Sequence, residues 1–208
     1  MLTSRSALLR GVGASVFFGL VLYGGGADTA LFFAPLLTGL GMAYFGSTEV
    51  FLQEKTGFII ETLLCSPATV RAIWLGKTLA ASLFASMFSL AVGLAVLLVG
   101  LHTGALAAPG VEFAVYLVLV VPLMAVCLAG LRGYVQLLFD SRLSHAISLG
   151  LLMLFTISLS VLSGLSVNSA LSLTPTLVAA LGFGAAGTLV VLGLCSRFLS
   201  VERVVTTL

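Results

Sequence analysis

Residues 72–101 read AIWLGKTLAASLFASMFSLAVGLAVLLVGL, with Lys77 as the only charge. A membrane-crossing helix needs roughly 20 predominantly apolar residues. This run is longer, which places its start in the cytoplasmic interface. Comparable runs lie at about Gly11–Tyr23, Ala30–Ser47, Phe113–Phe139, Leu143–Leu165 and Leu173–Cys195. They lack period-two alternation and exceed the roughly ten residues of a membrane strand. A helix satisfies its own backbone groups, as lipid requires. The pattern predicts an all-α, polytopic membrane protein of about six transmembrane helices.

Composition agrees. Hydrophobic residues make up 60% of the 208 positions and charged residues 8%, against about 25% charged in a typical soluble domain. Mean hydropathy is +1.26. About six spans with short connections use nearly all of residues 1–208, so a single membrane domain is expected. The net charge of +2 gives no ground for a nucleic-acid partner. Cys65, Cys127 and Cys195 match no metal or redox spacing, and with none on the outer face a structural disulfide is not expected.

Placing both termini in the cytoplasm puts Arg5, Arg10, Lys55, Arg71, Lys77, Arg132, Arg142, Arg197 and Arg203 on the inner side, which is every Lys and Arg in the chain. The outer loops carry Asp28 and Glu112 instead. This follows the positive-inside rule and predicts a multi-pass protein of the cytoplasmic membrane. Arg5, Arg10 and the short first run also fit a secretory signal peptide, whose removal would leave five spans in the same orientation.

The spans hold few ionisable groups, whereas ion-coupled carriers and intramembrane enzymes keep such groups deep in the bilayer. Arg132 and Lys77 lie toward cytoplasmic ends, where snorkelling to the interface is expected. His102 and His145 fall near span ends. No zinc motif, nucleophile elbow or phosphate loop is present, so no catalytic residue, metal or bound cofactor is expected. Any driven work requires an energy source on another subunit. Pro35 and Pro122 interrupt two spans, either as hinges or as tolerated kinks.

Between the second and third spans lies the one substantial polar element, Glu49–Lys77. Read at 100° per residue, Glu54–Cys65 places Ile59, Ile60, Leu63 and Leu64 on one face. Glu54, Lys55, Glu61 and Thr62 fall on the other, with Phe58 among them. This predicts a short amphipathic helix flat on the membrane. Phe58 is aimed away from lipid, as a knob for a partner. Ser66-Pro67 ends that helix, with Ser66 expected to cap the next one. Arg71, Trp74 and Lys77 have the character of interfacial anchors.

Glu54, Gly57, Glu61, Leu63, Leu64, Ser66, Pro67, Gly76 and Lys77 follow one another in an order that resembles the cytoplasmic loop of ABC type 2 permeases, the membrane subunits of a class of ABC exporters. The motif covers about 30 residues, and the expected topology extends the likeness to the whole chain. The chain is short for that family, with a brief segment before the first span and a short connection between spans five and six. The resemblance implies that Glu54–Leu64 is a coupling helix docking on a separate ABC ATPase, which would hold the ATP and magnesium. Lys55, Gly57, Phe58, Glu61, Leu64, Ser66 and Pro67 would belong to that contact, with Phe58 as its anchor. A second permease copy or paralogue would complete the pathway. The nearly uncharged spans suit an amphipathic or hydrophobic cargo. A haem-exporter-like permease is a variant of this reading. A self-sufficient channel or carrier and a non-transporting assembly subunit are the alternatives from other classes.

Overall fold

The computed structural model describes residues 27–56, 69–104, 110–139, 143–144, 146–151, 153–155 and 173–198. Within them the chain is helical and no strand occurs. The first apolar run and residues 57–68 lie outside the described residues. Helix α1 spans Ala27–Thr56 and α2 spans Val70–His102. Helix α3, Val111–Leu138, contains a π-helical turn at Tyr116–Val120. Residues 146–151 and 153–155 are helical, and α4 spans Leu173–Phe198. Leu31–Phe51, Val70–His102 and Val111–Leu138 are long and apolar enough to cross a membrane.

Two boundaries differ from the sequence reading. Residues 48–56 continue α1 instead of leaving the span as a polar loop, so Glu54, Lys55 and Thr56 form its last turn. The cap of α2 is Thr69, not Ser66. Its backbone is extended and its hydroxyl accepts the Ala72 N–H at 3.3 Å, satisfying one of the free donors at the helix start. At the other end Thr103 donates its N–H to the Val99 carbonyl. Gly104, at φ +69°, donates to Leu101, a left-handed closure that favours glycine.

Close backbone approach organises the bundle. On α2 the buried stripe is Trp74, Thr78, Ala81, Ser82, Ala85, Ser86, Ser89 and Gly93, small residues after its first turns. Such residues let helices approach in lipid, where apolar side chains gain little from hiding from lipid tails. A Cβ at Gly39 would meet Ser89 Cβ at 3.3 Å, and one at Gly93 would meet Pro35 Cγ at 3.2 Å. These contacts set α1 and α2 antiparallel. Gly39 against Val121 and Gly133 against Phe51 set α1 and α3 parallel, with α2 running opposite to both. The opposite face of α2 exposes Leu75, Leu79, Leu83 and Met87 at four-residue spacing, an outward apolar stripe suited to lipid.

Both prolines are built into this packing. Pro35 has no N–H to offer the turn before it, and neighbouring side chains bond to carbonyls of that stretch. Ser89 Oγ donates to the Pro35 carbonyl at 2.7 Å, and the Tyr116 hydroxyl donates to the Phe32 carbonyl. The Phe32 ring sits edge-on to Tyr116 and Phe113. Before Pro122, Val121 donates its N–H to the Tyr116 carbonyl. That five-residue step widens the helix where the proline ring would crowd the preceding turn.

Gly39→Leu should therefore cost about 1–3 kcal/mol of stability, because a Cβ there already falls 2.8 Å from Val121 Cγ1. A Cβ at Gly41 meets nothing within 4 Å, so Gly41→Leu should unfold near the wild-type temperature. Thermal unfolding of the two variants in one neutral detergent checks this contrast.

Candidate functional site

The tight seam between α1, α2 and α3 also buries polar groups. Ser47 and Thr48 both donate to the Tyr44 carbonyl, at 3.0 and 2.7 Å. Ser82 donates to Leu79 and Ser86 to Ser82. These hydroxyls are satisfied within their own helices, as is usual for Ser and Thr in membrane helices. Trp74 Nε1, Thr78 Oγ1, Arg132 Nε, Arg132 Nη1 and Gln136 Oε1 are buried without a hydrogen-bond partner among the described residues.

Arg132 is the centre of this group. Only 1% of it is exposed, so it does not snorkel to the interface. Helix direction supplies the reason. The contacts of Gly39 with Val121 and Gly133 with Phe51 place Arg132 opposite residue 50 of α1. A helical side chain leans toward the N-terminus of its own helix. Arg132 accordingly points back into the bundle, and its guanidinium carbon lies 3.3 Å from the ring centroid of Tyr44. Tyr44 is six positions before residue 50, roughly 9 Å along the helix. The chain direction of this span, already implied by the placement of Lys and Arg, was the sequence signal for this inward lean.

Trp74 faces inward too. It is 2% exposed, and Gly130 makes room for it, since a Cβ there would meet Trp74 Cζ2 at 3.3 Å and Thr78 Cγ2 at 3.4 Å. The expectation of an interfacial anchor is corrected for this residue, because the missing side chain at Gly130 opens a slot that the indole fills. Arg71 is exposed. Lys77 is half-buried, with Nζ 5.7 Å from the Phe51 ring centroid, and Phe51 in turn covers Gly133. Glu54 and Lys55 lie on the last turn of α1. Gly57, Phe58, Glu61, Leu64, Ser66 and Pro67 lie outside the described residues. No cluster of His, Cys, Asp and Glu able to hold a metal occurs among the described residues.

The arrangement has a definite chemistry. A guanidinium keeps its proton under ordinary conditions and offers only donors. Stacking on Tyr44 occupies one face of the plane and leaves the in-plane N–H groups for an acceptor. A desolvated cation–π contact contributes about 2 kcal/mol, while desolvating an ion costs several. The stack does not offset the burial, so the site carries an unmet demand for negative charge or water.

No family model, curated protein or solved structure matches the chain.

Arg132→Met should leave the fold intact and raise its stability by about 1–4 kcal/mol, as when buried ions are replaced by apolar residues of similar size. Unfolding in neutral detergent measures it. A loss of about 3–5 kcal/mol would instead reveal a partnered Arg132 and remove the unmet demand.

Proposed function

We propose that the chain is the permease subunit of an ABC transporter, moving an amphipathic or hydrophobic substrate across the cytoplasmic membrane with ATP hydrolysed by a separate subunit. The observation that carries this reading is the polar segment between α1 and α2. In order and spacing it pairs Glu54, Gly57, Glu61, Ser66-Pro67 and Gly76-Lys77. It also joins two helices that pack closely along small residues.

Geometry gives the reading a mechanical form. Helix α1 is unbroken over its 30 residues from Ala27 to Thr56, roughly 45 Å. The segment at 57–68 joins its end to the start of α2. A push delivered there by a closing ATPase would act on α1 and α2 together, since close-packed helices move as units. Helix α3 would be the part against which they move. In this reading Phe58, flanked by Glu54 and Glu61, seats in the ATPase, and a second permease copy or paralogue completes the pathway.

A self-sufficient carrier is the second reading, favoured by one observation. Arg132 is a buried ionisable group of the kind such carriers keep within the membrane. Co-purification separates the two. An affinity tag at residue 208 and mild detergent should bring down an ABC ATPase with the wild type, reduced about tenfold or more by Phe58→Ala or Glu61→Lys, the loss expected when an interface anchor is removed. Transport by the isolated, reconstituted chain without nucleotide or ATPase would overturn the permease reading.

A further inference from the structure

We infer that Arg132 is the binding group for an oxyanion, phosphate or carboxylate, carried into the seam on the head of a membrane amphipath. The first argument is charge. Arg132 is 1% exposed, and both Nε and Nη1 lack a partner among the described residues. A buried group of this kind requires pairing, and an oxyanion accepts several N–H bonds from a guanidinium at once.

The second argument is orientation. Tyr44 fixes the plane of the guanidinium by stacking, with 3.3 Å from its ring centroid to Cζ. The stack covers one face of the plane and leaves the in-plane N–H groups as the donors an oxyanion would take. The third is the other unmet polar groups of the three-helix seam. Trp74 Nε1 and Thr78 Oγ1 on α2 are likewise buried and unpaired, as is Gln136 Oε1, one turn on from Arg132 on the same face of α3. An indole N–H donates only, a hydroxyl donates or accepts, and an amide oxygen accepts, so with the two Arg132 nitrogens counted the unmet donors outnumber the unmet acceptors.

The fourth concerns the rest of the ligand. Tyr44 and Trp74 are large apolar bodies, and the neighbouring seam is Met42, Ala43, Ala81, Ala85 and Ala125. Such surroundings receive an acyl or similar chain far better than a free hydrated ion, whose remaining shell would find few partners. Access requires α3 to part from α1 and α2, because the guanidinium is covered on all sides. The inference rests on the permease reading only where the amphipath is taken to be cargo. Binding itself needs no ATPase.

The test uses the full chain purified in a neutral sugar detergent and titrated by native mass spectrometry. The probes are dodecyl phosphate and dodecanoate, with dodecanol as the neutral analogue and inorganic phosphate and acetate as anions without a tail. The wild type should bind the tailed anions and discriminate against dodecanol. Arg132→Met should weaken both tailed anions about tenfold or more, the effect of removing a buried charge partner. Arg132→Lys, which keeps the charge and loses the planar fork of donors, should weaken them about threefold or more.

Equal binding of the tailed anions by wild type, Arg132→Met and Arg132→Lys would overturn the inference. Inorganic phosphate binding as tightly as dodecyl phosphate would overturn the amphipath and leave a site for a free oxyanion. Should Arg132→Met fail to fold, Arg132→Lys carries the comparison, and binding equal to the wild type would then overturn the inference. A failed ATPase pull-down with intact anion binding removes the permease reading alone, and the reverse pair of results removes this inference alone.

Discussion

The close approach of α1 to α2 is the constraint on which the rest of the bundle depends. Helices in lipid gain little by hiding one apolar side chain against another, since the lipid tails are as apolar as leucine. Attraction then comes from dispersion between surfaces near enough to touch, and nearness requires small residues. Ala81, Ser82, Ala85, Ser86, Ser89 and Gly93 on α2, with Gly39 and Ala43 on α1, meet that requirement. Large groups are accommodated where a neighbour has no side chain. Phe51 covers Gly133, Trp74 fills the space at Gly130, and Leu117 sits over Gly93. Cys127 does the same for α4, where a Cβ at Gly187 would fall 2.5 Å from its sulfur. This is the bland use of a buried cysteine, as small apolar filler.

Against that apolar economy the burial of Arg132 stands out by magnitude. The buried hydroxyls of Ser47, Ser82 and Ser86 are satisfied by carbonyls one turn back, each bond contributing about 1 kcal/mol. An ion removed from water costs several times more, and one aromatic face does not restore it. A bundle selected for stability alone would place methionine or leucine there. The proposed oxyanion accounts for the residue by what it would bind.

The fold was legible in the sequence to the extent that composition and run length decide it. Ala72–Leu101 and Phe113–Phe139 anticipate α2 and α3 to within a few residues. The basic residues predict that the second and fourth spans run in the same direction, as α1 and α3 do. Helix ends were less legible because polar residues do not stop a helix. Glu49 through Thr56 extend α1, and Thr69 caps α2 although Ser-Pro three residues earlier presents the stronger pattern. Inward and outward faces were the least legible. Trp74 and Arg132 have the composition of interfacial anchors, and only the glycine at 130 and the direction of α3 turn them inward. The residues expected for partner contact from Gly57 to Pro67 lie outside the described residues, whereas Trp74 and Arg132 were read in the wrong environment.

The two regions are connected through rigid elements. Tyr44 and Glu54 stand on one unbroken helix, ten positions or roughly 15 Å apart. Trp74 and Thr78 stand on α2, within three turns of the segment that precedes it. Arg132 stands on α3. Any movement of the α1–α2 pair against α3 therefore changes the stack of Tyr44 on Arg132 before it disturbs the contacts inside the pair. A shear of about 5 Å is enough to move a ring off a guanidinium at 3.3 Å, since such contacts fade beyond about 6 Å from the centroid. With the stack intact, the cation is covered on one face and inaccessible. With it broken, the cation must find a new partner or pay its full desolvation. An anionic head entering at that moment lowers the energy of the open arrangement and not of the closed one, which is the differential affinity that a ligand needs to shift a conformational equilibrium. The same residue would then select the ligand and couple its presence to the position of α1.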